Sequence, residues 1–203
     1  MTQKTDSRLW EKIFFSLPSI TQDSMKDCFV SRYAHVKDGN KVLHLGCGSG
    51  ALLSSIAHKT SCLLYGTTND ALHMKSIRDR LPAADVVYTD PDDIPWQNIE
   101  FDAIITTSPT AGQTRTPDYL QEILKHLRTG GQFIMLLAWH PRLLGRLFHQ
   151  TADAITGQSE RADLSRSDAI ALLKSTGFTS VTWHAVKWGS AVITGYKRDD
   201  IKP

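Results

Sequence analysis

The chain has 203 residues, which is enough for one compact domain with a buried core. Lysine and arginine total 23 against 21 aspartate and glutamate, so the sequence lacks the single-sign charge typical of nucleic-acid-binding proteins. Three cysteines, Cys28, Cys47 and Cys62, stand far apart without CxxC spacing. This spacing argues against a disulfide framework and a zinc site, and it predicts a reducing, cytoplasmic location.

The sequence also argues against a membrane span and a metal site. No stretch has the ~20 consecutive apolar residues that cross a bilayer, and residues 1–15 carry charges where a signal peptide has its apolar core. The eight histidines include no HExxH spacing and no cluster with cysteine. We therefore expect no metal and no membrane-spanning segment.

Residues 8–37 mix apolar and charged positions around Pro18, and they predict two short helices ahead of the first strand. From Lys41 onward, short apolar segments alternate with helical ones. The predicted strands are 41–45, 61–66, 84–90, 101–108 and 132–139, and the predicted helices are 51–60, 70–81 and 117–131, the last closed by two glycines.

The C-terminal part differs from this alternation. Ser165, three residues before Asp168, predicts a helix start, and Gly177 predicts the helix end. Gly189 and Ser190 predict a tight turn between two final strands. Because strands that alternate with helices pair in parallel, we predict an α/β fold. Its doubly wound, seven-stranded, mostly parallel sheet has an antiparallel C-terminal strand and helices on both faces.

The string LGCGSGA places Gly46, Gly48 and Gly50 directly after a strand and before a helix. Without side chains, the backbone turns sharply and approaches a ligand closely, while the helix N-terminus offers N–H groups to a negative group. With Ala51 the string also satisfies the GxGxxA dinucleotide fingerprint. The glycines alone therefore leave two cofactor classes open.

Four motifs in order make the chain resemble the class I S-adenosylmethionine-dependent methyltransferases from about Lys41 to Lys197. They are VLHLGCGSGALL, TDPDDIPWQNIEFDAII, YLQEILKHLRTGGQFIML and LLKSTGFTSV. The resemblance implies S-adenosylmethionine as methyl donor, S-adenosylhomocysteine as product and an antiparallel seventh strand. It divides a single domain, 1–203, into an N-terminal helical cap (1–40), a cofactor-binding half (41–138), a lid or insertion (139–166) and a C-terminal helix with a β-hairpin (167–203).

The resemblance also implies roles for individual residues. Gly46 and Gly48 would approach the methionyl part of the cofactor, and Cys47 would offer backbone groups there. Asp90 would lie at the adenine amino group, whose hydrogen bonds a carboxylate accepts, with Pro91 against the ring. The alternative for Asp90 is a solvated charge in an acidic turn.

Two positions depart from the family pattern. His44 stands where the family usually has an acid that orders the methionine amino group. A neutral imidazole still accepts a hydrogen bond, whereas a protonated one repels the ammonium and sulfonium groups. Thr67 and Thr68 stand where an acid usually takes both ribose hydroxyls, with Asn69 and Asp70 following in the loop. Because neutral acceptors bind more weakly than charged ones, the sequence predicts a cofactor site of reduced affinity.

Methyl transfer is an in-line displacement that needs alignment more than a dedicated base. His140, after the fifth strand, is a candidate base, and Ser108 in TTSPT is a weaker candidate. A capping or solvated histidine and an ordinary Ser-Pro turn are the alternatives. Apolar residues before the first strand and after the fifth predict either packed core or a pocket for a small, partly apolar or aromatic acceptor: Trp10, Phe14, Phe15, Tyr33, Trp139, Leu143, Leu144, Leu147 and Phe148.

The favoured function is S-adenosylmethionine-dependent methyl transfer to a small molecule. A methyltransferase-like protein without activity, acting as a binding or regulatory partner, is the alternative that His44, Thr67 and Thr68 support. A nicotinamide-dependent oxidoreductase is a third interpretation, but it too needs a charged residue after the second strand.

Overall fold

A computed structural model describes residues 30–90, 93–107, 116–138, 165–184 and 190–198, and elements are numbered here in chain order within these ranges. The strands are β1 (Lys41–Leu45), β2 (Leu63–Thr68), β3 (Asp85–Tyr88), β4 (Phe101–Thr106), β5 (Leu127–Ala138), β6 (Phe178–Trp183) and β7 (Ser190–Lys197). The helices are α1 (Ala51–Ala57), α2 (Ala71–Arg80), α3 (Pro117–His126) and α4 (Arg166–Thr176).

The seven strands form one sheet in the order β3-β2-β1-β4-β5-β7-β6. The first five are parallel, and β7 runs antiparallel to both β5 and β6. This confirms the predicted mostly parallel sheet with an antiparallel C-terminal strand. The chain leaves β1 toward β2 on one side and returns to β4 on the other, which is the switch point where open α/β sheets bind ligands.

Alternating side chains bury both faces of the sheet. On one face, Val42 and Ile105 pack with apolar residues of α1 and α2; on the other, Leu43 and Ile104 pack with apolar residues of α3 and α4. Helices therefore cover both faces of the sheet, as predicted. Because both faces are buried, the strands are apolar at nearly every position.

Local signals set the helix ends. The side chains of Asp70, Thr116 and Ser165 accept hydrogen bonds from backbone N–H groups in the first turns of α2, α3 and α4. Gly177 ends α4 in the left-handed conformation, at φ 117°. The predicted start and end of α4 are therefore confirmed.

The prediction that two glycines close the helix after Pro117 is wrong. That helix ends at His126, and Leu127 already pairs with Phe101 of β4. The glycines lie in an irregularity of β5, after which Gln132 pairs with Ala103. A Cβ at Gly131 would lie 2.8 Å from the carbonyl oxygen of Arg128, so the close backbone packing of this bulge requires the glycine.

The predicted tight turn at Gly189 and Ser190 is also misplaced. Ser190 is already a residue of β7 and pairs with Ala138. The N–H of His184 donates to Val192 across the β6–β7 pair at 2.8 Å. Since β6 ends at Trp183 and β7 begins at Ser190, the connection is longer than two residues, and its residues 185–189 lie outside the described ranges.

Residues 30–36 lie across the sheet and are held by a buried side chain of β5. The amide of Gln132 accepts from the N–H of His35 and donates to the carbonyl of Tyr33, both at 2.9 Å. His35 Nδ1 lies 2.8 Å from the hydroxyl of Tyr196. The two short helices predicted within 8–37 lie almost entirely outside the described residues, and residues 34–37 form no helix.

The ring of His184 completes this contact. It stacks on Tyr33 with centroids 4.3 Å apart, and its Nε2 lies 3.0 Å from Thr194 Oγ1. Burial, and to a lesser degree the nearby His35, lower the pKa of His184 below its usual value. The folded state therefore favours the neutral ring.

Within the described ranges, no helix has the length and apolar character needed to cross a membrane. In the same ranges, no group of three or more histidine, cysteine, aspartate or glutamate side chains is arranged to hold a metal ion.

We expect Gln132→Leu to lower the free energy of unfolding by about 2 kcal/mol, because two part-buried hydrogen bonds from the side chain to the backbone are lost. Urea unfolding at neutral pH measures the change. Gln121→Leu is the control: Gln121 is exposed and donates a single hydrogen bond to Thr176, so its loss should cost under about 0.5 kcal/mol. Equal effects of the two changes would contradict the clamping role of Gln132.

Acid should weaken the contact at His184. Because the folded-state pKa lies below that of the unfolded chain, the stabilisation is complete above about pH 6.5 and declines as the pH falls below it. Urea unfolding of the wild type and His184→Asn at pH 7.5 and 5.5 tests this. The wild type should lose more stability between the two values, and an identical loss in both proteins would refute the assignment.

Candidate functional site

The glycine loop joins β1 to α1 at the carboxyl edge of the sheet. Gly46, Gly48 and Gly50 have φ values of 65°, 47° and 74°, in the left-handed region that residues with side chains rarely adopt. A Cβ at Gly50 would lie 2.7 Å from Ile77 Cγ1, so this glycine lets α2 pack against the loop. A Cβ at Gly48 would meet nothing within 4 Å, so the loop faces open space at this glycine.

Thr67 fixes this loop to β2. Its hydroxyl oxygen accepts the N–H of Gly46 at 3.0 Å, and its carbonyl oxygen accepts the N–H of Cys47 at 2.8 Å. The side chain of Cys47 is buried against Gly66, whose added Cβ would lie 3.0 Å from its sulfur. The carbonyl of Cys47 accepts from Gly50 at 2.8 Å. The backbone groups expected to face a cofactor at Cys47 are thus used within the loop.

β2 extends two residues beyond its predicted end, because Thr67 and Thr68 pair with Val87 and Tyr88 of β3. Thr68 is buried, and its hydroxyl oxygen accepts the N–H of Asp70 at 3.3 Å. Both threonine hydroxyls therefore support the backbone at this edge. Their predicted contact with a ribose stays a prediction.

Carboxylates flank the end of β2 and β3. Asp70 Oδ1 accepts the N–H groups of Leu72 and His73 at 2.8 and 3.0 Å, which lowers the pKa of Asp70. This carboxylate is therefore committed to capping α2. Asp90 follows β3, is exposed, and accepts the N–H of Asp93 on its backbone carbonyl at 3.0 Å. Asp90 thus stands at the carboxyl edge, where the resemblance places the adenine contact.

His44 and Thr107 meet across the switch point. His44 lies on β1, Thr107 directly follows β4, and His44 Nε2 is 2.8 Å from Thr107 Oγ1. His44 is 1% exposed, and burial lowers its pKa to about 3. Its imidazole is therefore neutral at physiological pH, and the repulsion expected from a protonated ring does not arise.

The other ring nitrogen of His44 is unsatisfied. Among the described residues, His44 Nδ1 has no hydrogen-bond partner although it is buried. Elsewhere in the loop, the guanidinium of the exposed Arg80 donates to the carbonyl of Ser49. The sequence analysis missed Thr107 and Arg80, because a threonine after a strand and an arginine ending an exposed helix carry no motif.

Several predicted residues lie outside the described ranges: Pro91, Ser108, His140, Trp10, Phe14, Phe15, Trp139, Leu143, Leu144, Leu147 and Phe148. The predicted lid, 139–166, is described only at Ser165 and Arg166. Of the two interpretations of Tyr33, the structure gives packing, since its ring stacks on His184.

The described residues fit the methyl donor that the resemblance implies. The open direction at Gly48 leaves room for a ligand against the loop, and the buried Nδ1 of His44, two residues before Gly46, lacks a hydrogen-bond donor among the described residues. The switch point between β1 and β4 is where this class of sheet places its ligands. A ligand here can approach the backbone of the glycine loop closely and can donate to a neutral imidazole, and neither contact requires a carboxylate.

A protein-family model described as a methyltransferase domain matches residues 42–131, just under half the chain and all of the loop region. Two curated relatives match with 26% identity. One is a probable phthiotriol/phenolphthiotriol dimycocerosates methyltransferase 2 of Mycobacterium ulcerans, with 58% of this chain aligned to 48% of the relative. The other is the ubiquinone/menaquinone biosynthesis C-methyltransferase UbiE of Azotobacter vinelandii, with 79% of this chain aligned to 74% of the relative.

A solved structure has the same fold. It is a SAM-dependent methyltransferase, possible histamine N-methyltransferase, from Thermotoga maritima, with a TM-score of 0.64, 16% sequence identity, and coverage of 94% of this chain and 95% of that one. The chain spans about half the length of the first curated relative named above. Together, the loop, the seven-stranded topology and these matches show that the chain is similar to the class I S-adenosylmethionine-dependent methyltransferases, with a methyltransferase-domain match over residues 42–131.

Proposed function

We propose that this chain transfers a methyl group from S-adenosylmethionine to a small acceptor that is at least partly apolar, and releases S-adenosylhomocysteine. The observation that carries the proposal is the glycine loop at the switch point, where a Cβ at Gly48 would meet nothing within 4 Å among the described residues. The buried His44 and its partner Thr107 belong to the two strand ends that flank this switch point. The match of residues 42–131 to a methyltransferase domain supports the choice of donor.

In this proposal three parts of the cofactor lie at the ends of three strands, β1, β2 and β3. Gly46 and Gly48 approach the methionyl part, with His44 beside it. Thr67 and Thr68 stand nearest the ribose, where they act chiefly by holding the loop and the end of β2. Asp90 accepts from the adenine amino group, with Pro91 beside it.

The cofactor, when bound, supplies a methyl group on a positively charged sulfur. The protein contributes alignment and exclusion of water, which suffice for an in-line displacement by a reactive acceptor. A neutral His44 adds no positive charge next to that sulfur. The candidate bases His140 and Ser108 belong to segments outside the described residues, and their roles stay predictions.

The acceptor class is inferred from the relatives and from composition. The Mycobacterium ulcerans relative is named for dimycocerosates, which are lipid-like. The segments that follow the carboxyl edge of β5 are rich in apolar residues, including Trp139 and Leu143. These features support an apolar acceptor and no nucleic-acid partner. The near-neutral charge and the cysteine usage support a cytoplasmic location.

An inactive protein that binds or regulates a partner is the alternative that the sequence raised. Its support came from His44, Thr67 and Thr68. Burial keeps His44 neutral, and the threonines anchor the loop and the end of β2, so none of the three argues against cofactor binding. The two curated relatives named above are both methyltransferases, and we do not adopt this alternative.

Gly48→Ala should weaken S-adenosylhomocysteine binding by about tenfold or more, because the added methyl group projects into the space before the loop. Isothermal titration calorimetry at pH 7.5 measures the change. Gly39→Ala is a matched control, since Gly39 also has a positive φ, 79°, and an open Cβ direction, but lies in the turn before β1. Each variant should lose about 1 kcal/mol of stability from backbone strain.

Retention of wild-type affinity by Gly48→Ala would show that the cofactor does not approach this glycine. Absence of any binding to the folded wild type up to millimolar concentration would overturn the proposed donor itself.

The acceptor class is tested with the methyl-labelled donor and a panel containing a medium-chain fatty acid, a hydroquinone with an alkyl tail, and histamine. We expect label in the apolar products extracted into organic solvent and none in histamine, because an apolar pocket desolvates a polar amine at a cost. Label in histamine alone would contradict the proposed acceptor class while leaving the donor intact.

A further inference from the structure

We propose that Thr107 is a positioning residue that holds His44 in the Nε2–H tautomer, so that Nδ1 presents a lone pair to the ammonium group of the bound methyl donor. This inference rests on the proposed function and assigns a task to His44 and Thr107 together. The pair replaces the carboxylate that the family usually places at the position of His44.

The choice of tautomer follows from the contacts. His44 Nε2 lies 2.8 Å from Thr107 Oγ1, a hydroxyl that serves either as donor or as acceptor. His44 Nδ1 is buried and has no partner within the described part of the chain. An unpaired buried N–H is rarer and costlier than an unpaired acceptor, so the proton belongs on Nε2, where Thr107 accepts it.

His44 and Thr107 lie at the strand ends next to the glycine loop, where a lone pair on Nδ1 can serve ligand binding. His44 lies two residues before Gly46, on the strand that feeds the glycine loop, and Thr107 follows the neighbouring strand on the other side of the switch point. The 2.8 Å contact is thus a bridge between the ends of β1 and β4. It restricts rotation of the ring, because His44 and Thr107 are each held at the end of a strand.

Thr107 is the only fixed contact of the ring within the described residues, so its hydroxyl controls which nitrogen carries the proton. Without that hydroxyl, either tautomer is available. The Nδ1–H form would direct a donor toward the ammonium group, and binding would weaken. Thr107 therefore acts through His44 and needs no contact with the cofactor.

Two substitutions of His44 separate its two nitrogens by geometry. Asn places an amide oxygen one bond beyond Cγ, as Nδ1 is placed, and cannot reach Thr107. Gln reaches as far as Nε2 and keeps the contact with Thr107, but it has no acceptor at the Nδ1 position. We expect His44→Asn to bind S-adenosylhomocysteine within about threefold of the wild type, and His44→Gln to bind about tenfold more weakly.

The matched pair at position 107 tests the positioning role. Thr107→Val keeps the shape and removes the hydroxyl, so affinity should fall about threefold to tenfold, and Thr107→Ser should restore it. Nitrogen-15 NMR of the ligand-free protein, labelled at histidine, reads the tautomer directly. The wild type and Thr107→Ser should show the Nε2–H form at His44, and Thr107→Val a mixture, with thermal unfolding as the check that each variant is folded.

A neutral acceptor also predicts the pH profile. The affinity of the wild type for S-adenosylhomocysteine should stay constant from pH 5.5 to 7, because His44 does not titrate there. Wild-type binding together with unchanged affinity in His44→Gln and Thr107→Val, or an Nδ1–H ring in the wild type, would overturn this inference and leave the proposed function standing. Absence of binding to the folded wild type would overturn both.

Discussion

The two hydrogen bonds that Thr67 accepts from Gly46 and Cys47 determine the shape of the cofactor edge. They join the end of β1 to the end of β2, and they turn the loop so that Gly50 is the N-cap of α1, which begins at Ala51. The side chain of Cys47 then packs into the core against Gly66, which has no Cβ to obstruct it. Because backbone N–H groups are strong donors that need partners when buried, this anchor stabilises the loop before any ligand arrives.

The same anchor gives a physical reason for neutral residues at the end of β2. Thr67 is fully buried and Thr68 is 3% exposed. A carboxylate buried to that degree needs charge compensation, whereas a hydroxyl needs only one or two hydrogen bonds, and both threonines have them. Thr67 and Thr68 thus offer a weaker contact than a carboxylate would, but their hydroxyls hold the backbone at this edge of the sheet in place.

The sequence predicted the fold well, because its signals are local and repeated. Alternating strands and helices, the glycine loop and the Ser165 cap each depend on nearby residues. The end of α3 was misplaced because Gly130 and Gly131 are typical of helix ends, while the contacts that make them a strand bulge come from β4. Among these, Asp102 pairs with Arg128 and accepts the N–H of Lys41. The site followed the same rule. Gly48 belongs to a recognisable sequence motif, but the hydrogen bond between His44 and Thr107 joins residues 63 positions apart, and neither local segment predicts it.

His44 shows how the fold compensates for a lost charge. An acid at a position that is 1% exposed would be costly in the absence of ligand, because the described surroundings of the ring offer it one hydroxyl and no cation. The guanidinium of Arg80 donates to the carbonyl of Ser49 in the loop. A neutral imidazole is stable there without a counter-ion, and it is already oriented by Thr107. In the proposed complex, a side chain that is already oriented takes the place of Coulombic attraction, and such preorganisation reduces the cost of ordering a side chain when a ligand binds.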